Sequence, residues 1–363
     1  MQPGDVIAGR YEVVRQLGAG GMGTLVEAVH TETGRSVALK LLVVDAFYDA
    51  RAARWTERFR REARAAGSLD VENVVEVLDA GRDDITGRPF IAMELLHGKD
   101  LSQLLHDVGA LRVDTALKIA GQALEGLAGA HEAGVLHRDV KPGNLFLDTD
   151  GQGRITVKLV DFGIAKITRD ERLSSITRTG QLVGTPLYLS PEQARGIPSI
   201  DVRADIFSLG VVLYRMLSGV PPRVMKTGLV DFVLELCSTP TPPIRERAPW
   251  VPTPVAALVH RALRSDPDDR YQSAREMLDD LRLLVPDLAL SEVDLVASSK
   301  APPPPLFDSR TAGKAIIAPT MDDPALDPDP VEIPVRRRYG AAVVVGALVL
   351  AAAAAATGYV WMR

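Results

Sequence analysis

A glycine loop that leads into a strand, and not into a helix, constrains the fold of this chain more than any other feature. Gly18-Ala19-Gly20-Gly21-Met22-Gly23 has the spacing GxGxxG. Glycines let main-chain N–H groups come close to phosphate oxygens. Dinucleotide-binding folds share this spacing, but there a helix opens directly on the glycines. Here the strand-like Thr24-Leu25-Val26-Glu27-Ala28-Val29 follows, and Tyr11 to Leu17 precedes as a second short β-type run. The glycines therefore sit in a hairpin that could fold over a nucleotide. Taken alone, they fit an ordinary surface hairpin equally well.

The neighbouring residues favour the nucleotide. Ser36 to Val44 reads as a third strand and contains Val37-Ala38-Leu39-Lys40, a lysine at the end of an apolar run. A lysine among apolar neighbours needs an anionic partner to remain charged and oriented. Arg51 to Leu69 has helical spacing and offers Glu62, or with less support Glu57. Val74 to Ala80 and Pro89 to Leu95 read as two more strands. After Gly98 the texture turns helical, at Leu101 to Asp107, Val113 to Ala133, Asp201 to Leu217, Val255 to Leu263 and Ala274 to Leu284. A small β-rich lobe thus precedes a larger α-rich one, an α+β arrangement in two lobes.

Further along, His137-Arg138-Asp139-Val140-Lys141-Pro142-Gly143-Asn144 follows a long helix and leads into Leu145-Phe146-Leu147. Val157-Lys158-Leu159-Val160 then brings the chain to Asp161-Phe162-Gly163. With Lys40 and the glycine loop, this ordered set resembles the eukaryotic-type Ser/Thr protein kinases, of the group found in bacteria as membrane-anchored receptor-like kinases. The resemblance runs from about Tyr11 to Leu284. A Walker-type Gly-Lys-Ser/Thr loop, as an ATPase switch would carry, is absent.

The resemblance implies a two-lobe kinase fold, with a small lobe at 11–96 and a large lobe at 97–285. It implies transfer of the γ-phosphoryl of ATP to protein Ser or Thr hydroxyls. Such transfer passes through a loose transition state, so positioning and charge neutralisation supply most of the catalysis. By the resemblance Asp139 orients or accepts the substrate hydroxyl proton, and Lys141 neutralises γ-phosphate charge. Lys40 reaches the α- and β-phosphates, with Glu62 as its partner. Asn144 and Asp161 hold Mg²⁺, with Mn²⁺ as an alternative, through the oxygen ligands these ions prefer. The nucleotide contacts implied are Leu17, Gly18, Ala19, Gly20, Gly21, Met22, Gly23, Thr24, Leu25, Ala38, Met93, Leu96 and Phe146, with backbone groups of Glu94 to Leu96 on the adenine edge. Leu25 stands where Val is usual and Val140 where Leu is usual; both keep apolar character. The alternative is a pseudokinase scaffold, which loss of Lys40, Asp139, Asn144 or Asp161 would support; all four are present.

Gly163 to Glu192 resembles an activation segment, with Thr177 and Thr179 as the autophosphorylation sites it implies and Arg172 and Arg178 nearby. A phosphate there adds charge and acceptor oxygens that arginines bind. Thr185 is implied to bond Asp139 and Lys141. Glu192 is implied to pair with Arg270, and Asp205 to brace the catalytic loop.

The remainder of the chain has a different texture. Residues 286–338 hold Pro302 to Pro305, then Pro319, Pro324, Pro328, Pro330 and Pro334, with almost no aromatics, which reads as a flexible tether. Tyr339 to Met362 carries no charge, and at about 1.5 Å per residue a helix there spans roughly 36 Å, enough for a bilayer core. Arg336-Arg337-Arg338 precedes it, which places the kinase on the cytoplasmic side of a cell membrane with a single pass. Homodimerisation through small residues in that helix is weakly signalled, because no strict GxxxG is present. The net charge of −5 argues against a dedicated nucleic-acid binder. The single cysteine, Cys237, fits a reducing compartment and reads as a packing residue.

Overall fold

The computed structural model describes residues 1–20, 23–42, 59, 61–162, 186–226 and 228–299. Gly21, Met22, Glu57, Thr177, Thr179, Thr185 and the apolar run at 339–362 lie outside the described residues. Among the described residues, no helix is long and apolar enough to cross a membrane.

The amino-terminal lobe is built on an antiparallel sheet with strand order β1-β2-β3-β4-β6-β5. Its strands are β1 (Val6–Ile7), β2 (Tyr11–Gly20), β3 (Gly23–His30), β4 (Ser36–Leu42), β5 (Val77–Arg82) and β6 (Pro89–Glu94). The two-residue period of β4 sorts its side chains between the faces of the sheet. Val37, Leu39 and Leu41 pack with Tyr11, Val13, Val26 and Phe90 on one side. Ala38 and Lys40 fall on the other, where Leu42 meets Phe59, Val75, Ile91 and Met93. That second face also meets helix α1, described through residues 61–67.

The strand expected at Val74 to Ala80 begins later, at Val77. Residues 73–75 are claimed by the other lobe: Leu159 N–H donates to the Asn73 carbonyl at 2.9 Å and Val75 N–H to the Leu159 carbonyl at 3.0 Å.

The large lobe is helical around α3 (Val113–Glu132), α5 (Arg203–Ser218), α6 (Leu229–Ser238), α7 (Ile244–Arg247), α8 (Thr253–Ala262) and α9 (Ala274–Leu284). Helix α2 (Leu101–Val108) opens on Asp100, whose carboxylate caps Gln103 N–H at 2.9 Å. Helix α4 (Pro191–Ala194) opens on a reciprocal capping box between Ser190 and Gln193. Fourteen of the sixteen residues of α5 are buried, as expected of a helix at the centre of the lobe. A second sheet, in the order β10-β9-β8-β7, lies at the lobe junction. It consists of β7 (Gly98–Asp100), β8 (Leu145–Thr149), β9 (Arg154–Leu159) and β10 (Leu290–Ser291).

The last strand corrects the boundary read at 286. Residues 286–299 do not begin the tether. Leu290 is buried and pairs with Ile155, and α10 (Glu292–Ser299) follows directly. The proline-rich stretch from Pro302 onward coloured the reading of the residues before it; Leu288 and Leu290 pack onto α3 and the large-lobe core.

Candidate active site

The cleft between the lobes has a volume of about 660 Å³, within the usual range for ligand sites. The glycine hairpin forms its roof. Gly23 carries φ +147°, and a Cβ there would overlap the Leu41 carbonyl oxygen, so only glycine lets β3 lie this close to β4. Leu17, Gly18, Ala19, Gly20, Gly23, Leu25 and Ala38 line the cleft from above, and Met93, Leu96 and Phe146 from behind and below. Thr24 does not line it. Val75, Val160 and Gly143 do, and were not anticipated. They lie on loops and strand ends, where periodicity carries no signal.

The linking segment has its hydrogen bonds divided. Glu94 N–H donates to the Glu76 carbonyl at 3.0 Å. The Glu94 carboxylate accepts from Lys158 Nζ at 2.8 Å and Glu76 N–H at 2.9 Å. The side chain is thus turned to other partners, and the Glu94 N–H is no longer a donor for a ligand.

The catalytic loop, whose Gly143 lines the cleft, gathers its polar groups by hydrogen bonds to one another. Lys141 Nζ donates to Asp139 Oδ2 at 2.6 Å. Asn144 Nδ2 donates to the Asp139 carbonyl at 2.8 Å and to Asp139 Oδ2 at 3.1 Å, which leaves Asn144 Oδ1 as an acceptor. Across from them, Lys40 Nζ donates to Asp161 Oδ1 at 2.5 Å. Asp161 and Arg138 carry φ +68° and +65°, a region costly for residues other than glycine. Their surroundings hold both. His137 packs its ring 4.5 Å from that of Phe162, and its Nε2 donates to the Val160 carbonyl at 3.0 Å.

Beneath the loop lies Asp205, fully buried on α5. It accepts from His137 N–H at 2.8 Å, Arg138 N–H at 2.7 Å and His131 Nε2 at 2.9 Å. Burial pushes this carboxyl upward, but the His131 hydrogen bond, the two histidines and the backbone donor outweigh it and hold the group below the usual carboxylate range. His131 and Gln193, whose Nε2 donates to the Arg138 carbonyl at 3.1 Å, are further supports that the sequence did not single out. Each acts across a contact remote in sequence, His131 with Asp205 and Gln193 with Arg138.

Farther down, Arg270 forms a bidentate pair with Glu192, at 2.8 Å from each nitrogen. Its guanidinium also donates to the carbonyls of Arg264, Ser265 and Arg203 and lies 4.9 Å from the Phe207 ring centre. Burial raises the Glu192 carboxyl, but Arg270 overrides this and draws it below its usual range.

One expected pairing is not formed. Glu62 meets Arg61 at 3.2 Å, and Lys40 is held by Asp161 instead. Spacing places Glu62 on the helix but does not fix how the helix is turned toward the sheet.

The model of the protein kinase domain matches residues 11–281. The chain belongs to the protein kinase family. The kinase domain is 40% identical over 284 residues to a probable serine/threonine-protein kinase of Corynebacterium efficiens, covering 77% of this chain and 42% of that protein. It is 38% identical over 277 residues to the serine/threonine-protein kinase PknB of Mycolicibacterium smegmatis, covering 76% of this chain and 43% of the relative. The chain thus spans less than half the length of these relatives. The crystal structure of the Mycobacterium tuberculosis PknI kinase domain superposes with a TM-score of 0.60 at 29% identity, covering 78% of this chain and 98% of that one.

Proposed function

We propose that this chain is a Ser/Thr protein kinase that transfers the γ-phosphoryl of ATP to protein hydroxyls. The observation that carries this reading is that Lys40 and Asp161 meet in one glycine-roofed cleft, while Asp139, Lys141 and Asn144 are joined by hydrogen bonds on the loop whose Gly143 also lines it. Asp139 is the group that orients the substrate hydroxyl and accepts its proton, and Lys141 beside it offsets charge on the transferring phosphoryl. Lys40, now on Asp161, exchanges that carboxylate for phosphate oxygens when nucleotide enters, and Glu62 then becomes its partner. The donor set fits Mg²⁺, or Mn²⁺ in its place: the Asp161 carboxylate and the Asn144 Oδ1 are hard oxygen ligands facing the phosphate end. A divalent ion held by these two residues would supply neutralisation of phosphate charge. Leu96 backbone groups and the Glu94 carbonyl serve the adenine edge.

Regulation follows from the same reading. Phosphorylation at Thr177 and Thr179 brings charge to the segment that ends at Glu192, next to the loop that Gln193 holds. The run at 339–362 anchors the domain on the cytoplasmic face of a membrane, so substrates at or near that surface are within reach of its tether.

Incubation of the full chain with γ-labelled ATP and Mg²⁺, followed by acid hydrolysis, tests the proposal. Label is expected on phosphoserine or phosphothreonine, in the chain itself or in a generic basic protein. Label confined to tyrosine, or released only as free phosphate, would overturn it.

A further inference from the structure

β10 extends the large-lobe sheet by two residues, with Leu290 opposite Ile155 and Ser291 opposite Arg154. Continued by two residues, this antiparallel register sets Leu288 opposite Val157 on β9. The ladder does not close there directly, because the side-chain amide of Gln122, from α3, stands between the strands. Its Oε1 accepts from Val157 N–H at 2.7 Å, and its Nε2 donates to the Leu288 carbonyl at 2.9 Å. An N–H on one side and a carbonyl on the other allow only this orientation of the amide. The Val157 carbonyl accepts from Asn73 Nδ2 at 3.0 Å. Gln122 is 8% exposed, so solvent has little access to replace either bond.

The segment is seated by shape as well. A Cβ on Gly121 would lie 2.5 Å from Leu288 Cδ2, so the missing side chain makes the notch that Leu288 fills. Leu290 is 2% exposed. Asp294 closes the turn by accepting from Ser291 N–H at 2.9 Å and pairs with Lys118 of α3 at 3.2 Å. The family match ends at residue 281, before this segment begins. Beyond Val157, β9 ends at Leu159 and the chain continues to Val160, whose N–H donates to the Asn144 carbonyl at 3.0 Å, and then to Asp161.

We propose that residues 286–296 are a strap belonging to the catalytic unit, and that Gln122 is a positioning residue that holds β9, and through it Asp161, in a register maintained by the Leu288 carbonyl. Without the strap, the Gln122 Nε2 donor loses its carbonyl and is opened to water, and the amide turns or takes in water at the expense of its bond to Val157. The functional part of this proposal rests on Asp161 serving phosphoryl transfer; the structural coupling does not.

The test uses the full chain and two variants outside the catalytic residues. Leu288→Lys with Leu290→Lys expels the strap. Gln122→Glu keeps an acceptor for Val157 N–H but sets an oxygen against the Leu288 carbonyl, so it releases the strap even if the double variant does not fold. Hydrogen exchange of amides at 155–161 and 288–293 is measured together with KM for Mg²⁺-ATP and kcat. Exchange is expected to rise about tenfold in both regions, the scale of one lost buried hydrogen bond. KM should rise about three- to tenfold, with kcat held within about twofold, as expected for displaced binding groups and not for a lost catalytic one. Faster exchange at 288–293 alone, with the 155–161 amides and KM unchanged, would overturn the proposal. If the wild type transfers no phosphate yet the two regions still exchange together, the kinase reading fails and the coupling stands.

Discussion

Arg270 and Lys40 are both cations held by a carboxylate, one in the floor of the large lobe and the other in the cleft, and they differ in how many other partners they have. Arg270 is fully buried, meets Glu192 with two nitrogens and fills its remaining donors with three carbonyls. Lys40 touches Asp161 through a single hydrogen bond, and the Asp161 side chain is 25% exposed. A pair closed on all sides can only brace. A pair with one bond, facing a cavity, can exchange its partner for a ligand. The same distinction separates Asp205, saturated by three donors, from Asp139, which shares one oxygen with Lys141 and Asn144.

The largest effect that would sharpen this contrast is on rate. Asp139→Asn should slow phosphoryl transfer about 10²- to 10⁴-fold, the range for loss of a general base, and leave the thermal midpoint unchanged. Arg270→Ala should do the reverse. It leaves Glu192 buried without its cation and should cost about 3–5 kcal/mol in urea unfolding. Lys40→Ala should abolish transfer with a stability loss well below that of Arg270→Ala; equal losses would break the contrast.

Acid should act on the bracing groups. Glu192 and Asp205 are both held below their ordinary values of 4.5 and 3.8. Each therefore adds stability above its ordinary value and loses it as pH falls through the lowered folded one. Urea midpoints should stay flat from neutrality to about pH 5 and drop below that. In Glu192→Gln the drop should be shallower. The smallest effect belongs to Arg10, paired with Asp79 at 2.6 Å but 40% exposed; Arg10→Ala should cost about 0.2–1 kcal/mol.

The sequence revealed the site's chemistry better than its supports. Lys40, Asp139, Lys141, Asn144 and Asp161 were legible because they stand in the ordered motifs of the family the chain resembles, and phosphoryl transfer explains why those residue types are needed. The pairing of Glu62 was not, since it depends on how a helix is turned against a sheet. Arg270 and Asp205 could be placed only by the family resemblance, and nothing local to Asp205 announces its burial under the catalytic loop. His131 and Gln193 carry no sequence signal, because each acts across a tertiary contact. The strap was misread for a related reason: what seats Leu288 and Leu290, the notch at Gly121 and the amide of Gln122, lies far away in sequence on α3.

The central claim is that the cleft binds Mg²⁺-ATP and that Asp139 turns binding into transfer. Its most direct test is single-turnover transfer by the wild type and Asp139→Asn, with Mg²⁺-dependent nucleotide binding measured on the same samples. Equal binding by both proteins, with transfer by the wild type alone, is the predicted result. Equal binding with transfer by neither would contradict the claim and leave a nucleotide-binding scaffold in its place.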